Sequence, residues 1–172
     1  MFNAKKIFQI AALGLAISSS THALAGEAFG APYSAVPPVS TAQAQVVVYR
    51  PTAPNATSGA ANVYVDREFH AALLPGGYST VCVAAGAHNL TAALNDAPQY
   101  KGKDAKASWF TLAGGNTYFL RVNEDASKAP HFVKRDSAER ELAGTRQQLQ
   151  ALSRASSAQA CNASMVEASL SQ

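Results

Sequence analysis

Five side chains that could do chemistry lie close together in the sequence: Asp66, Glu68, His70, Cys82 and His88. These residue types bind metal ions or take part in nucleophilic catalysis. No HExxH motif, CxxC pair or cysteine–histidine cluster with zinc spacing accompanies them. We therefore expect no metal site and no cofactor, and interpret the histidines as surface residues with satisfied hydrogen bonds.

A cysteine–histidine hydrolase would use Cys82 with His70 or His88. Cys82 lies in the middle of an alternating strand pattern, however, and not at a helix N-terminus, where a thiolate is stabilised. No GxSxG nucleophile motif occurs either. The sequence thus predicts no catalytic residue, and we expect a protein that is not an enzyme.

The chain has two cysteines, Cys82 and Cys161. An even number in an exported protein favours a disulfide, and two free buried thiols are the alternative. A bond between them would close a loop of roughly 80 residues and add about 4 kcal/mol of stability by chain entropy. It would also attach the C-terminal part of the chain to the strands around Cys82.

The N-terminus has the layout of a bacterial secretory signal peptide. Lys5 and Lys6 precede an apolar run over 7–17, and Ala23-Leu24-Ala25 forms an A-x-A cleavage site. The alternative is a buried core helix, and the run is about half of the roughly 20 residues that a membrane-spanning helix needs. We expect an exported protein without a transmembrane helix, located in the periplasm or at the outer membrane.

Cleavage of the signal would remove two lysines, which lowers the formal charge from +3 to +1. The one local basic cluster, between Tyr100 and Lys106, is interrupted by Asp104. Such a run is typical of a solvated loop, so we expect no nucleic-acid binding.

The central region predicts a mainly β fold. Short alternating segments are separated by Gly- and Pro-rich turns, which is typical of antiparallel sandwiches. We predict an immunoglobulin-like or prealbumin-like antiparallel β-sandwich of seven or eight strands with one C-terminal α-helix. In the predicted helix Leu142, Leu149 and Leu152 share one face, and Asp136 with Glu139 has the form of a capping box.

The predicted organisation has five parts. They are a signal peptide (1–25), a flexible leader (26–44), a β-sandwich domain (45–134), an amphipathic helix with its cysteine (135–161) and a disordered tail (162–172).

Aromatic residues cluster on two neighbouring predicted strands. Trp109, Phe110, Tyr118 and Phe119 could form an exposed ligand platform, although cross-strand aromatic pairs more often build core. If Trp109 is exposed, it could bind a small molecule or glycan together with Tyr100, Lys101 and Lys103 in the adjacent loop.

Several short motifs resemble an N-terminal β-sandwich domain of unknown function in proteobacterial OmpA-family envelope proteins, and the small PEGA domains share a similar pattern. The matching residues are Tyr49-Arg50-Pro51, Val63-Tyr64-Val65-Asp66, Gly77-Tyr78 and Gly86-Ala87-His88. Ala85 replaces the usual proline. The segment up to Cys161 is similar to the linker helix and cysteine that precede the peptidoglycan-binding domain of those proteins. We expect that domain to be absent here, so its activity does not carry over.

These observations predict a cell-envelope accessory protein that binds an envelope protein or itself, through a sheet edge or through the face of Leu142, Leu149 and Leu152. They leave open peripheral association with a membrane. One alternative is a subunit of a surface appendage or secretion assembly, and another is the small-molecule or glycan-binding module at Trp109.

Overall fold

The structure is a computed structural model. It describes residues 27–54, 56, 58–94, 108–124, 129–149 and 152–163. The expected signal peptide (1–25) lies outside the described residues.

The described part of the chain forms ten strands and one helix. In chain order they are β1 (Phe29–Pro32), β2 (Gln43–Tyr49), β3 (Ala61–Val65), β4 (Glu68–Leu73), β5 (Gly77–Ala84), β6 (Gly86–Leu94), β7 (Trp109–Leu112), β8 (Thr117–Arg121), β9 (His131–Val133), α1 (Arg135–Leu142) and β10 (Arg146–Gln148).

Two sheets form a sandwich. One has the strand order β1-β10-β5-β2-β8-β9 and the other the order β4-β3-β6-β7. Their facing apolar side chains build one core, with Val46 and Val83 from the first sheet and Val63 and Leu90 from the second. The prediction of a mainly β sandwich with a C-terminal helix is confirmed.

Eight of the ten strands in the described part of the chain, β2–β9, fall in the predicted sandwich region, in agreement with the predicted number, and β1 and β10 are additional. The pairing differs from the all-antiparallel prediction, because β2 runs parallel to β8 and β5 runs parallel to β10. β2 and β8 are brought together from the two ends of the sandwich sequence, so their mutual direction depends on the crossovers between sheets. Strand patterning alone does not contain that information.

β2 is buried on both faces, which explains its continuous run of apolar residues. Val46 and Val48 point into the sandwich, whereas Val47 and Tyr49 join a second apolar cluster with Ala138 of α1. The helix therefore packs on the outer face of its own six-stranded sheet.

The helix is much shorter than the predicted 135–161 segment, because it ends at Leu142. The backbone N–H and the hydroxyl of Thr145 both donate to the Leu142 carbonyl oxygen, each at 2.8 Å. The chain then turns into β10. Lys134 is the N-cap and makes no side-chain capping bond, so the capping box expected at Asp136 does not form.

The predicted flexible leader (26–44) contains β1 and the first residues of β2. β1 pairs with β10, and the Tyr33 ring contacts the Tyr78 ring edge-on at 5.3 Å between centroids. From the predicted disordered tail (162–172), Ala163 forms a β-bridge with Val39, and residues 164–172 lie outside the described part. Among the helical residues described, no segment has the length and apolarity to cross a membrane.

Candidate functional site

Cys82 is fully buried in β5 and forms a disulfide with Cys161. The predicted pairing is therefore confirmed, and it joins residues 79 positions apart. The sulfur of Cys82 is bonded and is not available as a nucleophile in this state.

The disulfide is the centre of a wider attachment of the C-terminal segment. The Gln159 N–H donates to the Cys82 carbonyl oxygen at 2.7 Å. The buried side chain of Gln43 donates to the Gln159 side chain and to the Ala160 carbonyl oxygen, and accepts from the Asn162 N–H at 2.9 Å. The segment is thus held by one covalent bond and by several hydrogen bonds around it.

Asp66 and His88 form a hydrogen-bonded pair at the end of the β3–β4 hairpin. His88 Nδ1 lies 2.8 Å from the Asp66 carboxylate, and His88 Nε2 lies 2.9 Å from the Ala84 carbonyl oxygen. Both partners are acceptors, and a neutral imidazole has only one N–H to donate. Both hydrogen bonds therefore form together only when His88 is protonated.

The Asp66 carboxylate has several donors around it. Burial alone would raise its pKa, but the nearby Ser157 hydroxyl, the hydrogen bond with His88 and the hydrogen bond from the Asn89 backbone N–H hold the pKa of Asp66 below its ordinary value. The Asn89 N–H donates at 2.9 Å. Asp66 and Arg67 both have left-handed backbone conformations, with φ of 51° and 68°, as two-residue type I′ hairpin turns require.

His70 is separate from this pair. It is buried in β4, where its Nε2 lies 3.2 Å from the Ser79 hydroxyl, and burial lowers its pKa to about 4. The described residues contain no group of three or more His, Cys, Asp or Glu side chains that could hold a metal ion. Both nitrogens of His88 have partners, whereas Nδ1 of His70 has none in the described structure. The prediction that these histidines lie on the surface is wrong, because His70 and His88 are both buried.

Arg50 is a buried charge that the sequence analysis treated only as part of a motif. Its side chain is 0% exposed and forms a two-pronged ion pair with Glu124, at 2.7 and 2.8 Å. It also donates to the carbonyl oxygens of Gly59 and Leu73. An arginine directly after the apolar run of residues 46–49 was the available signal, and the contacts suit a structural role.

Three of the four aromatic residues of the predicted platform pack against other side chains, and only one of the four is largely exposed. Phe110 and Tyr118 both contact the Phe132 ring, and Phe119 lies in the apolar cluster beneath α1. Trp109 is different, because it is 60% exposed.

Trp109 borders an open depression of about 470 Å³ on the four-stranded sheet. The residues that line it are Asp66, Arg67, Ala87, Asn89 and Trp109. The other residues of the predicted ligand site, Tyr100, Lys101 and Lys103, lie outside the described residues. Asp66, Arg67 and Asn89 were not predicted as ligand-binding residues, and their approach to Trp109 depends on the pairing of β6 with β7.

The three leucines predicted to share one helical face do not do so. Leu142 is fully buried against the sheet, whereas Leu149 is 52% exposed and Leu152 is 81% exposed, both beyond the end of α1. Leu149 contacts β1, since a Cβ added to Gly30 would lie 2.7 Å from its Cδ2. We define Leu149 and Leu152 as the exposed leucine pair.

Comparison of the chain with family models, curated proteins and solved structures finds no match.

Proposed function

We propose that this protein is an exported, non-enzymatic accessory protein of the bacterial cell envelope. It acts through protein–protein contacts in the periplasm or at the outer membrane. The observation that carries the proposal is the exposed leucine pair beside a covalently attached C-terminal segment. Large apolar side chains exposed to water are available for burial by a partner.

Export is supported by two independent features. The N-terminal residues have the pattern of a signal peptide. The Cys82–Cys161 bond is of the kind that persists in oxidising compartments and is rare in the cytosol of ordinary bacteria.

The contact surface lies at one end of the six-stranded sheet. Leu149 follows β10 directly and its backbone N–H donates to the Ala28 carbonyl oxygen, which places it beside the edge strand β1. An exposed leucine next to a sheet edge offers a partner both side-chain burial and backbone hydrogen bonds.

The test is photo-cross-linking in the bacterium from which the protein comes. A photoreactive amino acid at position 152 should give one defined adduct with an envelope protein, which mass spectrometry identifies. The same amino acid at position 140, which is exposed on α1, is the matched control and should give none. Equal labelling at both positions, or no adduct at position 152, would contradict the proposal.

A double variant adds a second readout. Leu149→Ser with Leu152→Ser should remove the adduct that forms when the photoreactive amino acid is placed beside these two positions. The free energy of unfolding should change by no more than about 1 kcal/mol, because both side chains are exposed. If the adduct contains only copies of this chain, the runner-up function applies, namely a subunit of a surface appendage or secretion assembly.

A ligand-binding module is the second candidate function. The observation that favours it is the exposed Trp109 beside a depression lined by polar residues. Small-molecule sites commonly combine an aromatic surface with a few placed polar groups.

A further inference from the structure

The depression beside Trp109 lies where β6 and β7 pair. Asn89 of β6 is directly opposite Trp109 of β7 in the antiparallel register. The side chains of directly opposed residues lie on the same face of a sheet. Leu90 and Phe110 on the other face belong to the sandwich core, so Asn89 and Trp109 lie on the outer face.

Asn89 is unusual for an outer-face residue, because it is only 2% exposed. Its backbone N–H donates to Asp66, but its side-chain Nδ2 has no hydrogen-bond partner in the described structure. A buried donor without an acceptor destabilises the folded state by about 1–3 kcal/mol. Asn89 also lines the depression, so a small rotation of its side chain towards the depression would bring this buried donor to an oxygen atom of a bound ligand.

The depression is lined by one carboxylate, that of Asp66, and one guanidinium, that of Arg67. The Asp66 carboxylate is already occupied by His88 and by the Asn89 N–H. Arg67 is exposed at the hairpin tip and makes no ion pair with any described residue. Its guanidinium is therefore available to a carboxylate, which arginine binds through two parallel hydrogen bonds.

We propose that the depression binds a saccharide that carries a carboxylate group. This inference rests on the second candidate function and defines its ligand. The apolar face of the sugar ring lies on the Trp109 indole, a ring oxygen or hydroxyl accepts from Asn89 Nδ2, and the carboxylate pairs with Arg67.

The open form of the depression favours a sugar over a flat aromatic acid. Only one side of the ligand is covered, so the other side stays in water. A sugar ring has an apolar C–H face for the indole and hydroxyls that remain hydrated, which suits such a site. A flat aromatic acid would leave a whole apolar face exposed.

The first experiment uses the full chain with its disulfide intact. Trp109 is the only tryptophan in the sequence, so a change in tryptophan fluorescence reports on this site alone. Glucuronic acid, glucose and acetate are titrated separately at constant ionic strength. Glucuronic acid should bind about tenfold or more tightly than glucose, as expected for one added charge-assisted interaction, and acetate should give no change in fluorescence.

Three variants test the assigned roles. Arg67→Asn keeps a residue type that tolerates the left-handed backbone and should make glucuronic acid and glucose bind alike. Arg140→Asn removes an equivalent positive charge from exposed α1 and should leave both affinities unchanged. Asn89→Ala should weaken both sugars severalfold, and Trp109→Ala, followed by calorimetry, should abolish binding.

Equal affinity for glucuronic acid and glucose in the unsubstituted protein would overturn the inference, as would binding of acetate as tight as that of glucuronic acid. Absence of any fluorescence response to the sugars would also overturn it. None of these outcomes affects cross-linking at position 152, so failure of the saccharide site is distinguishable from failure of the accessory-protein function.

Discussion

Removal of the Cys82–Cys161 bond should destabilise the protein by about 4.5 kcal/mol. The bond joins residues 79 positions apart. In the chain-entropy model a closed loop of that size lowers the entropy of the unfolded chain by about 15 cal/mol/K, which is about 4.5 kcal/mol at 25 °C. Domains of this kind have total stabilities of about 5–15 kcal/mol, so the loss would leave a marginally stable fold.

The assay is equilibrium unfolding in urea, followed by tryptophan fluorescence and circular dichroism. The double variant Cys82→Ala with Cys161→Ala is compared with the chemically reduced parent protein, which keeps both sulfur atoms. Cys82 is fully buried. Any additional loss of unfolding free energy in the double variant, relative to the reduced parent, therefore measures the small cavity that the missing sulfur leaves.

Hydrogen exchange localises the effect. Without the bond, the amides of Gln159 and Asn162 should exchange faster than those of β2, because their acceptors lie on Cys82 and Gln43. A loss of unfolding free energy below about 1 kcal/mol, well under the chain-entropy value, would refute the stabilising role given to the disulfide. So would unchanged protection of the C-terminal segment, since its attachment would then not depend on the covalent bond.

Three further predictions concern stability. Arg50→Met should lower the free energy of unfolding in urea by about 3 kcal/mol, because it removes the ion pair between the buried guanidinium and the partly buried Glu124 carboxylate; a neutral result would mean that the ion pair contributes nothing. Burial lowers the pKa of His70 to about 4, so the stability contributed by its neutral form is complete above pH 6.5 and is lost as pH falls towards 4. The parent should therefore lose about 3 kcal/mol more than His70→Gln between pH 7 and pH 4, and equal losses would refute the buried neutral state. Gly114→Ala should destabilise by several kcal/mol, about the size of severe overpacking, because its Cβ would lie 1.8 Å from the Thr41 carbonyl oxygen. Gly144→Ala is the control, and it should leave stability unchanged because there is open space around the added Cβ. Similar thermal midpoints for the two variants would contradict the close approach of the Thr41 carbonyl oxygen to Gly114.

Much of the sandwich could be predicted because its strands satisfy local rules. The alternation around Val63 and Val81, and the turn glycine Gly115 with its φ of 75°, appear directly in the residue order. The cysteine pairing could likewise be inferred from composition and compartment. In each case the information lies within a few neighbouring residues or in a simple count.

The two short strands and the end of the helix could not be predicted, because they depend on particular contacts in the folded chain. β1 and β10 are short strands with little pattern of their own, and they are strands because β1 pairs with β10 and β10 also pairs with β5. The helix ends at Leu142 because Thr145 folds back onto its last turn, although the leucine spacing continues. Periodicity cannot reveal such competing contacts.

The candidate site was predicted only in part. Trp109 was considered as a ligand platform, but Asn89 and Arg67 were not, because they reach the depression through the strand register and the hairpin turn. His70 was expected on the surface, and its burial follows from the facing of β4 onto β5, where Ser79 is its partner. Sequence spacing does not specify either arrangement.

The central claim is that the protein works outside the cytoplasm with its C-terminal segment fixed by the Cys82–Cys161 bond. The most direct test is the intact mass and thiol count of the protein isolated from the envelope fraction of its natural host. The account predicts a chain that begins after Ala25, has no free thiol and yields one peptide pair joined through Cys82 and Cys161. A full-length chain with two free thiols, recovered from the cytoplasm, would contradict it.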